Sequence, residues 1–228
     1  TEGITVALLA GLSMHGQLAV FGTGETISNV EIYLVPLTPS ETNVEREDVT
    51  SRRRRPDGPR RAGQGRRGRQ SRISREDKAR RAVKALSDIR RTYSPALSTD
   101  DDGLFKFTNL DAGEYLVIFE HDDFLPSQEK VRVDDSRVIR ELAIQLSPGE
   151  KLTGEVRLSD GNAAIGISVV LRSADGLVRR GETDGLGQYE VTGLLPGSYR
   201  VDFRERAREV AESQNIEIDS GINQFNYP

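Results

Sequence analysis

Three groups of residues in this 228-residue chain have the types and spacing for chemistry. The first is a carboxylate run, Asp100-Asp101-Asp102, followed by Gly103. Carboxylates in a turn are hard oxygen ligands of the kind calcium takes. With Asp100 as position one, however, position twelve is Asp111 rather than a bidentate Glu, and Phe105 and Phe107 stand at strand positions. The run therefore reads first as a turn whose Asp side chains accept from backbone N–H groups. A weak Ca²⁺ site at Asp100, Asp101 and Asp102 is the alternative, with Asp122-Asp123 and Asp134-Asp135 as further donors; no other cofactor is expected. The second group is a set of guanidiniums: Arg52, Arg53, Arg54, Arg55, Arg60, Arg61, Arg66, Arg67 and Arg69. Such a cluster attracts polyanions by counterion release without needing shape. The third is aromatic. Sugar platforms use exposed rings, Trp is absent, and Tyr33 lies between Ile32 and Leu34. If those two face inward, Tyr33 faces outward, which makes it the glycan candidate; the plainer reading is a cross-strand packing partner.

Catalytic constellations are missing. His15 and His121 are the only histidines, and no His-Glu-x-x-His, Gly-x-Ser-x-Gly, Walker or dinucleotide pattern occurs. There is no Cys, so disulfide and thiol chemistry are excluded. The chain reads as no enzyme.

The elements that would position these residues come from an internal repeat. Thr99-Asp100-Asp101-Asp102-Gly103-Leu104-Phe105 recurs as Thr183-Asp184-Gly185-Leu186-Gly187-Gln188-Tyr189. Leu110-Asp111-Ala112-Gly113-Glu114-Tyr115 recurs as Leu194-Leu195-Pro196-Gly197-Ser198-Tyr199. Upstream, Gly16-Gln17-Leu18 matches Gly154-Glu155-Val156. Alternation places Phe105 and Phe107 on one strand face, and Tyr115, Val117 and Phe119 on another. Tyr189 and Val191, then Tyr199, Val201 and Phe203, are their counterparts. Glu120 falls on the face opposite to Phe119.

This pattern, Gly-x-Val, Thr-Asp-x-x-Gly-x-Phe and Leu-x-x-Gly-x-Tyr, resembles the carboxypeptidase regulatory-like domain. The resemblance covers both repeats but not residues 38–92. It implies an all-β fold of two tandem transthyretin-like (prealbumin-like, Greek-key) β-sandwiches of about seven strands each. Domain one is expected over 1–147, interrupted by 38–92, and domain two over 148–228. Ile4 to Leu12 reads as an opening strand, too short and Gly-interrupted to span a bilayer. Ser147-Pro148-Gly149 is a short junction, so the sandwiches should nearly abut.

The interruption is polar in two ways. Its first part, with the arginines above, lacks apolar residues for a core and reads as disordered. Its second part predicts the single helix of the chain, about residues 75–91. Ser74 with Asp77 forms a cap, and Ala79, Ala82, Val83, Leu86 and Ile89 recur at helical spacing. From Thr50 to Thr92 there are 17 Lys/Arg and 4 Asp/Glu, a net of +13. The whole chain is −4, so the remainder is −17, and no basic face is expected on the folded body.

The function expected from all this is a non-catalytic extracellular or cell-envelope module, a structural spacer or adhesion unit of a longer chain. The basic arm would contact an acidic polysaccharide or other polyanion; nucleic acid is disfavoured, because no aromatics interleave the arginines. The alternative is an accessory carbohydrate-binding-like domain that supports a catalytic domain elsewhere in the parent chain.

Overall fold

The computed structural model describes residues 11–37, 74–134, 140–206 and 208–227. Nine arginines of the interruption, Arg52 to Arg69, lie outside the described residues, as do Asp135 and most of the expected Ile4 to Leu12 strand. The rest is two β-sandwiches in tandem with one helix.

Module one contains β1 (Leu12–Val20), β2 (Glu31–Leu37), α1 (Arg75–Ile89), β3 (Leu97–Ser98), β4 (Leu104–Leu110), β5 (Gly113–His121), β6 (Phe124–Val133) and β7 (Arg140–Leu146). Its sheets run in the orders β4-β1-β7 and β3-β2-β5-β6. Module two contains β8 (Glu150–Glu155), β9 (Ser168–Ser173), β10 (Val178–Glu182), β11 (Gln188–Leu194), β12 (Gly197–Glu205), β13 (Arg208–Glu209), β14 (Gln214–Ile218) and β15 (Ile222–Gln224). Its sheets are β11-β8-β15 and β10-β9-β12, with β13 and β14 pairing β12. Both modules use one parallel pair, β1 with β7 and β8 with β15, and are otherwise antiparallel. The repeat in sequence is thus a repeat in topology.

The repeated residues repeat their contacts. Phe105, Phe107, Tyr115, Val117 and Phe119 enter one core; Tyr189, Val191, Tyr199, Val201 and Phe203 enter the other. Each fully buried side chain of this size contributes roughly 1.5–3 kcal/mol. The Thr of the motif is a buried clasp. Thr99 Oγ1 accepts from Val30 N at 3.0 Å and donates to Ile27 O at 2.9 Å. Thr183 Oγ1 accepts from Ile167 N at 2.8 Å and donates to Ala164 O at 2.6 Å. The motif Tyr closes its own turn: Tyr115 donates to Asp111 O and Tyr199 to Leu195 O, both at 2.9 Å. The shared Gly is a packing requirement. A Cβ on Gly16 would lie 2.2 Å from Leu142 O, and one on Gly154 would lie 1.8 Å from Phe225 O.

The helix forms where the cap and periodicity place it. Ser74 accepts from Asp77 N at 3.0 Å, and Glu76 and Asp77 complement the N-terminal dipole. Ala79, Ala82, Val83 and Leu86 are buried. The helix closes at Ile89, with Arg90 N donating to Leu86 O at 3.0 Å.

Candidate functional site at the module junction

The two modules are joined by more than their linker. β7 ends at Leu146 and β8 begins at Glu150, and Leu125 N of β6 donates to Ser147 O at 2.8 Å. Helix α1 then packs on both modules with one apolar stripe. Ala82 and Leu86 cluster with Tyr33 and Ile118 on the outer face of β2 and β5. Ala79 and Val83, with Leu125, belong to the core cluster of module two, together with Leu177 and Leu195. Charged flanks repeat the division. Lys78 pairs with Glu129 of module one at 3.1 Å. Arg80 pairs with Asp175 of module two at 3.1 Å and donates to Pro196 O at 2.7 Å. At the helix start, the Arg75 guanidinium stacks 3.3 Å over the Phe21 ring, a cation–π contact.

At the far end of α1 sits a buried ionic hub. Glu120, the outward residue of β5, is 6 % exposed. Arg90 donates to its Oε1, and Arg179 Nη1 lies 3.7 Å from the same oxygen. Arg179 is only 1 % exposed. It donates through Nε to Gly193 O at 3.3 Å, through Nη1 to Val178 O at 3.0 Å, and through Nη2 to Phe124 O at 2.8 Å. Phe124 is in module one and Gly193 in module two, so one guanidinium ties both backbones. Burial lowers the Arg179 guanidinium from its ordinary value, while Glu120 and Asp122 act against that; a guanidinium stays charged regardless. Burial also pushes the Tyr33 phenol up, and Glu31 and Glu120 add to it. Removing one member of a buried pair strands the other, at about 3–5 kcal/mol.

The fit is close. Gly193 has φ +67°, and a Cβ there would lie 2.6 Å from Asp122 O and 2.8 Å from Arg179 Nε. Its counterpart, Asn109, holds the same left-handed conformation at φ 57°. Thr192 Oγ1 donates to Asp123 Oδ1 at 2.6 Å, a further bond across the junction. Beside the hub opens a cleft of about 490 Å³, lined by Glu31, Arg90, Glu120, Asp122 and Arg180 among others.

The residues singled out in the sequence are not gathered into one site. Asp100 Oδ1 accepts from Asp102 N at 3.1 Å and Leu104 N at 2.8 Å. Asp184 Oδ1 does the same for Leu186 N at 2.8 Å and Gln188 N at 2.9 Å. Asp100 is therefore the turn carboxylate of a repeated motif, while Asp101 and Asp102 are exposed. Among the described residues no group of three or more His, Cys, Asp or Glu is placed to hold a metal ion. His15 and His121 lie on strands of different sheets.

One expectation is corrected. Tyr33 does point out of the sandwich, with its hydroxyl 3.2 Å from Glu31 Oε2, but α1 covers it and leaves it 4 % exposed. Its ring packs against a helix and is not open to a sugar. On module two Arg172, Arg200 and Arg204 surround Asp202, while Glu209 pairs in register with Arg204 and Glu217 with Ser198, so this sheet face is mixed in charge rather than basic. The alternation Arg200-x-Asp202-x-Arg204, out of phase with the inward Tyr199, Val201 and Phe203, is the sequence signal of that cluster. Arg179 also went unrecognised. Its signal is register: it stands opposite the core residue Leu171.

The fold and junction define a class: transthyretin-like β-sandwich modules packed in tandem around a shared helix. Residues 151–224, nearly all of module two, match the carboxypeptidase regulatory-like domain. No curated protein matches the chain in sequence. Among solved structures, the chain is similar to GBS52, the minor pilin of Streptococcus agalactiae, at 12% identity, covering 95% of this chain and 94% of that one with a TM-score of 0.41. The shaft pilin SpaA from Lactobacillus rhamnosus GG is 6% identical, with 96% and 97% covered and a TM-score of 0.36. The Bacillus anthracis TIE protein is 12% identical over 96% of this chain, with a TM-score of 0.35; the chain spans 33% of its length.

Proposed function

We propose that this chain is a non-catalytic spacer or adhesion unit of a longer exported or cell-envelope protein, in which two sandwiches act as one stiff body. The observation that carries the reading is α1, which buries one stripe against both modules at once. Two domains joined by a short linker swing by default unless their interface is large and apolar. A helix wedge, a buried Arg179 and a Gly193 that admits no side chain remove that freedom. The reading assigns no catalytic residue and no cofactor. No helix among the described residues is long and apolar enough to cross a membrane.

Rotational diffusion of the intact chain tests this. NMR relaxation should give one correlation time for amides of both modules, that of a single elongated body. Separate, shorter times for the two modules would sink the spacer reading. The arginines from Arg52 to Arg69 add a second role in this proposal, salt-sensitive contact with an acidic polysaccharide or similar polyanion. Heparin binding across a salt series, with and without residues 40–73, measures it; equal binding by both forms removes that role.

A further inference from the structure

In each sandwich the opening strand lies parallel to the closing one. β1 pairs β7 over seven consecutive positions, from Met14 with Arg140 to Val20 with Leu146. β8 pairs β15 from Lys151 with Ile222 to Thr153 with Gln224, and pairing resumes at Val156 with Tyr227. The sheet orders β4-β1-β7 and β11-β8-β15 put the opening strand in the centre and the closing strand at the edge. Within the described sheets, each closing strand has one ladder neighbour, the opening strand of its own module.

Further bonds lengthen both pairings. In module one Phe21 N donates to Leu146 O at 2.8 Å. In module two Phe225 N donates to Thr153 O at 2.9 Å, Tyr227 N to Glu155 O at 2.8 Å and Arg157 N to Tyr227 O at 3.1 Å. Side chains add to these: Glu155 N donates to Asn226 Oδ1 at 3.0 Å, and Tyr189 donates to Phe225 O at 2.7 Å. The closing segments are also anchored inward. Ile144 and Leu146 belong to the core of module one, and Phe225 and Tyr227 pack against that of module two. The motif glycines sit at these pairings. Gly16 faces Leu142 O and the Phe105 ring, and Gly154 faces Phe225 O and the Tyr189 ring. A repeated sequence feature therefore lets the closing segment lie against the opening strand.

Parallel pairing decides how such a strand pair meets tension. A pull that enters by the opening strand and leaves by the closing one draws the two past each other along their length. The bonds of a parallel pair are evenly spaced along it, so they share that pull and must give together. An antiparallel hairpin such as β5–β6, pulled at its open end, gives one bond at a time. We propose that β1–β7 and β8–β15 are shear clamps, and that the two modules bear tension along their parent chain. Forced unfolding reads a barrier rather than an equilibrium stability, so direction of loading matters as much as the depth of the core. The short link from Leu146 to Glu150 hands the load from one clamp to the next. The spacer reading supplies the tension; the clamps themselves rest on the ladders alone.

The experiment is single-molecule pulling on the full chain. The chain has no Cys, so a pair of introduced cysteines gives unique handles. S13C with Q145C places them at opposite ends of the β1–β7 ladder, and S13C with E141C places both at one end. Glu141 and Gln145 are exposed and Ser13 is half-buried, so these changes spare the core. Equal melting temperatures show that the two variants share one stability, which leaves direction as the only difference. Opposite-end handles load the ladder in shear and should need about twofold or more force than same-end handles, which peel it. Equal or lower force with opposite-end handles overturns the proposal. S13C with P228C loads both clamps in series and should give two steps, each in the shear range. A step in the peeling range overturns the assignment for module two. Two correlation times in NMR relaxation would sink the stiff-body reading and leave these forces unchanged; equal forces would sink the clamps and leave the relaxation unchanged.

Discussion

The same sheet face has opposite fates in the two modules. An offset of 84 residues places Leu116, Ile118 and Glu120 where Arg200, Asp202 and Arg204 stand in the second copy. In module one this face is apolar at Tyr33 and Ile118, and α1 lies on it. In module two it is a row of guanidiniums around a buried carboxylate. The inward residues differ little, because both cores need the same alternation. The outward residues are free to diverge, and they decide whether a sandwich docks a helix or meets solvent.

That contrast breaks most severely at Arg179. Arg179→Ala leaves Glu120 buried opposite Arg90 alone and frees the Phe124 and Gly193 carbonyls; a loss of about 3–5 kcal/mol is expected in urea unfolding. A loss below about 1 kcal/mol, the scale of an exposed pair, would make the hub incidental. Val83→Asp tests the helix instead. A carboxylate without a partner in the module-two cluster should cost about 2–3 kcal/mol and split one unfolding transition into two. A single transition with unchanged midpoint would show that α1 does not couple the modules.

Smaller effects sharpen the likeness beneath the difference. Thr99→Val and Thr183→Val each orphan a buried N–H and C=O, for about 1–2 kcal/mol apiece. Near-equal losses are expected, since the clasps are the same; a loss in one module alone would refute their equivalence. The smallest effect is one of pH. Asp202 is held below its usual value, so its contribution is complete above the unfolded value of about 3.9 and is lost as pH falls through the folded one. Asp202→Asn should flatten the decline of melting temperature below about pH 4. An unchanged acid limb would place the sensitive carboxylates elsewhere.

Much of this was legible in the residues. Alternation located the strands, the repeated Thr-Asp-x-x-Gly located the turns, and Ser74 with Asp77 located the start of α1. What covers a face was not. The stripe Ala79, Ala82, Val83 and Leu86 says that something lies against the helix, and periodicity is silent on whether that is one module or two. Tyr33 fails for the same reason: its direction follows from Ile32 and Leu34, but its burial depends on a segment far along the chain. Arg179 is invisible to hydropathy, because a charged residue is inward only where two backbones happen to supply acceptors. The cluster around Asp202 is readable in the alternation Arg200-x-Asp202-x-Arg204, whereas a net charge averages over position.

Because Ala79 and Val83 complete the core of module two, the two sandwiches are not separable goods. A cut at Ser147-Pro148-Gly149 would divide the sheets cleanly yet leave part of one core in the other fragment. The smallest piece that recombination can move intact is the pair. A second sandwich transplanted into a new parent would expose Leu177 and Leu195 unless the host brought its own helix.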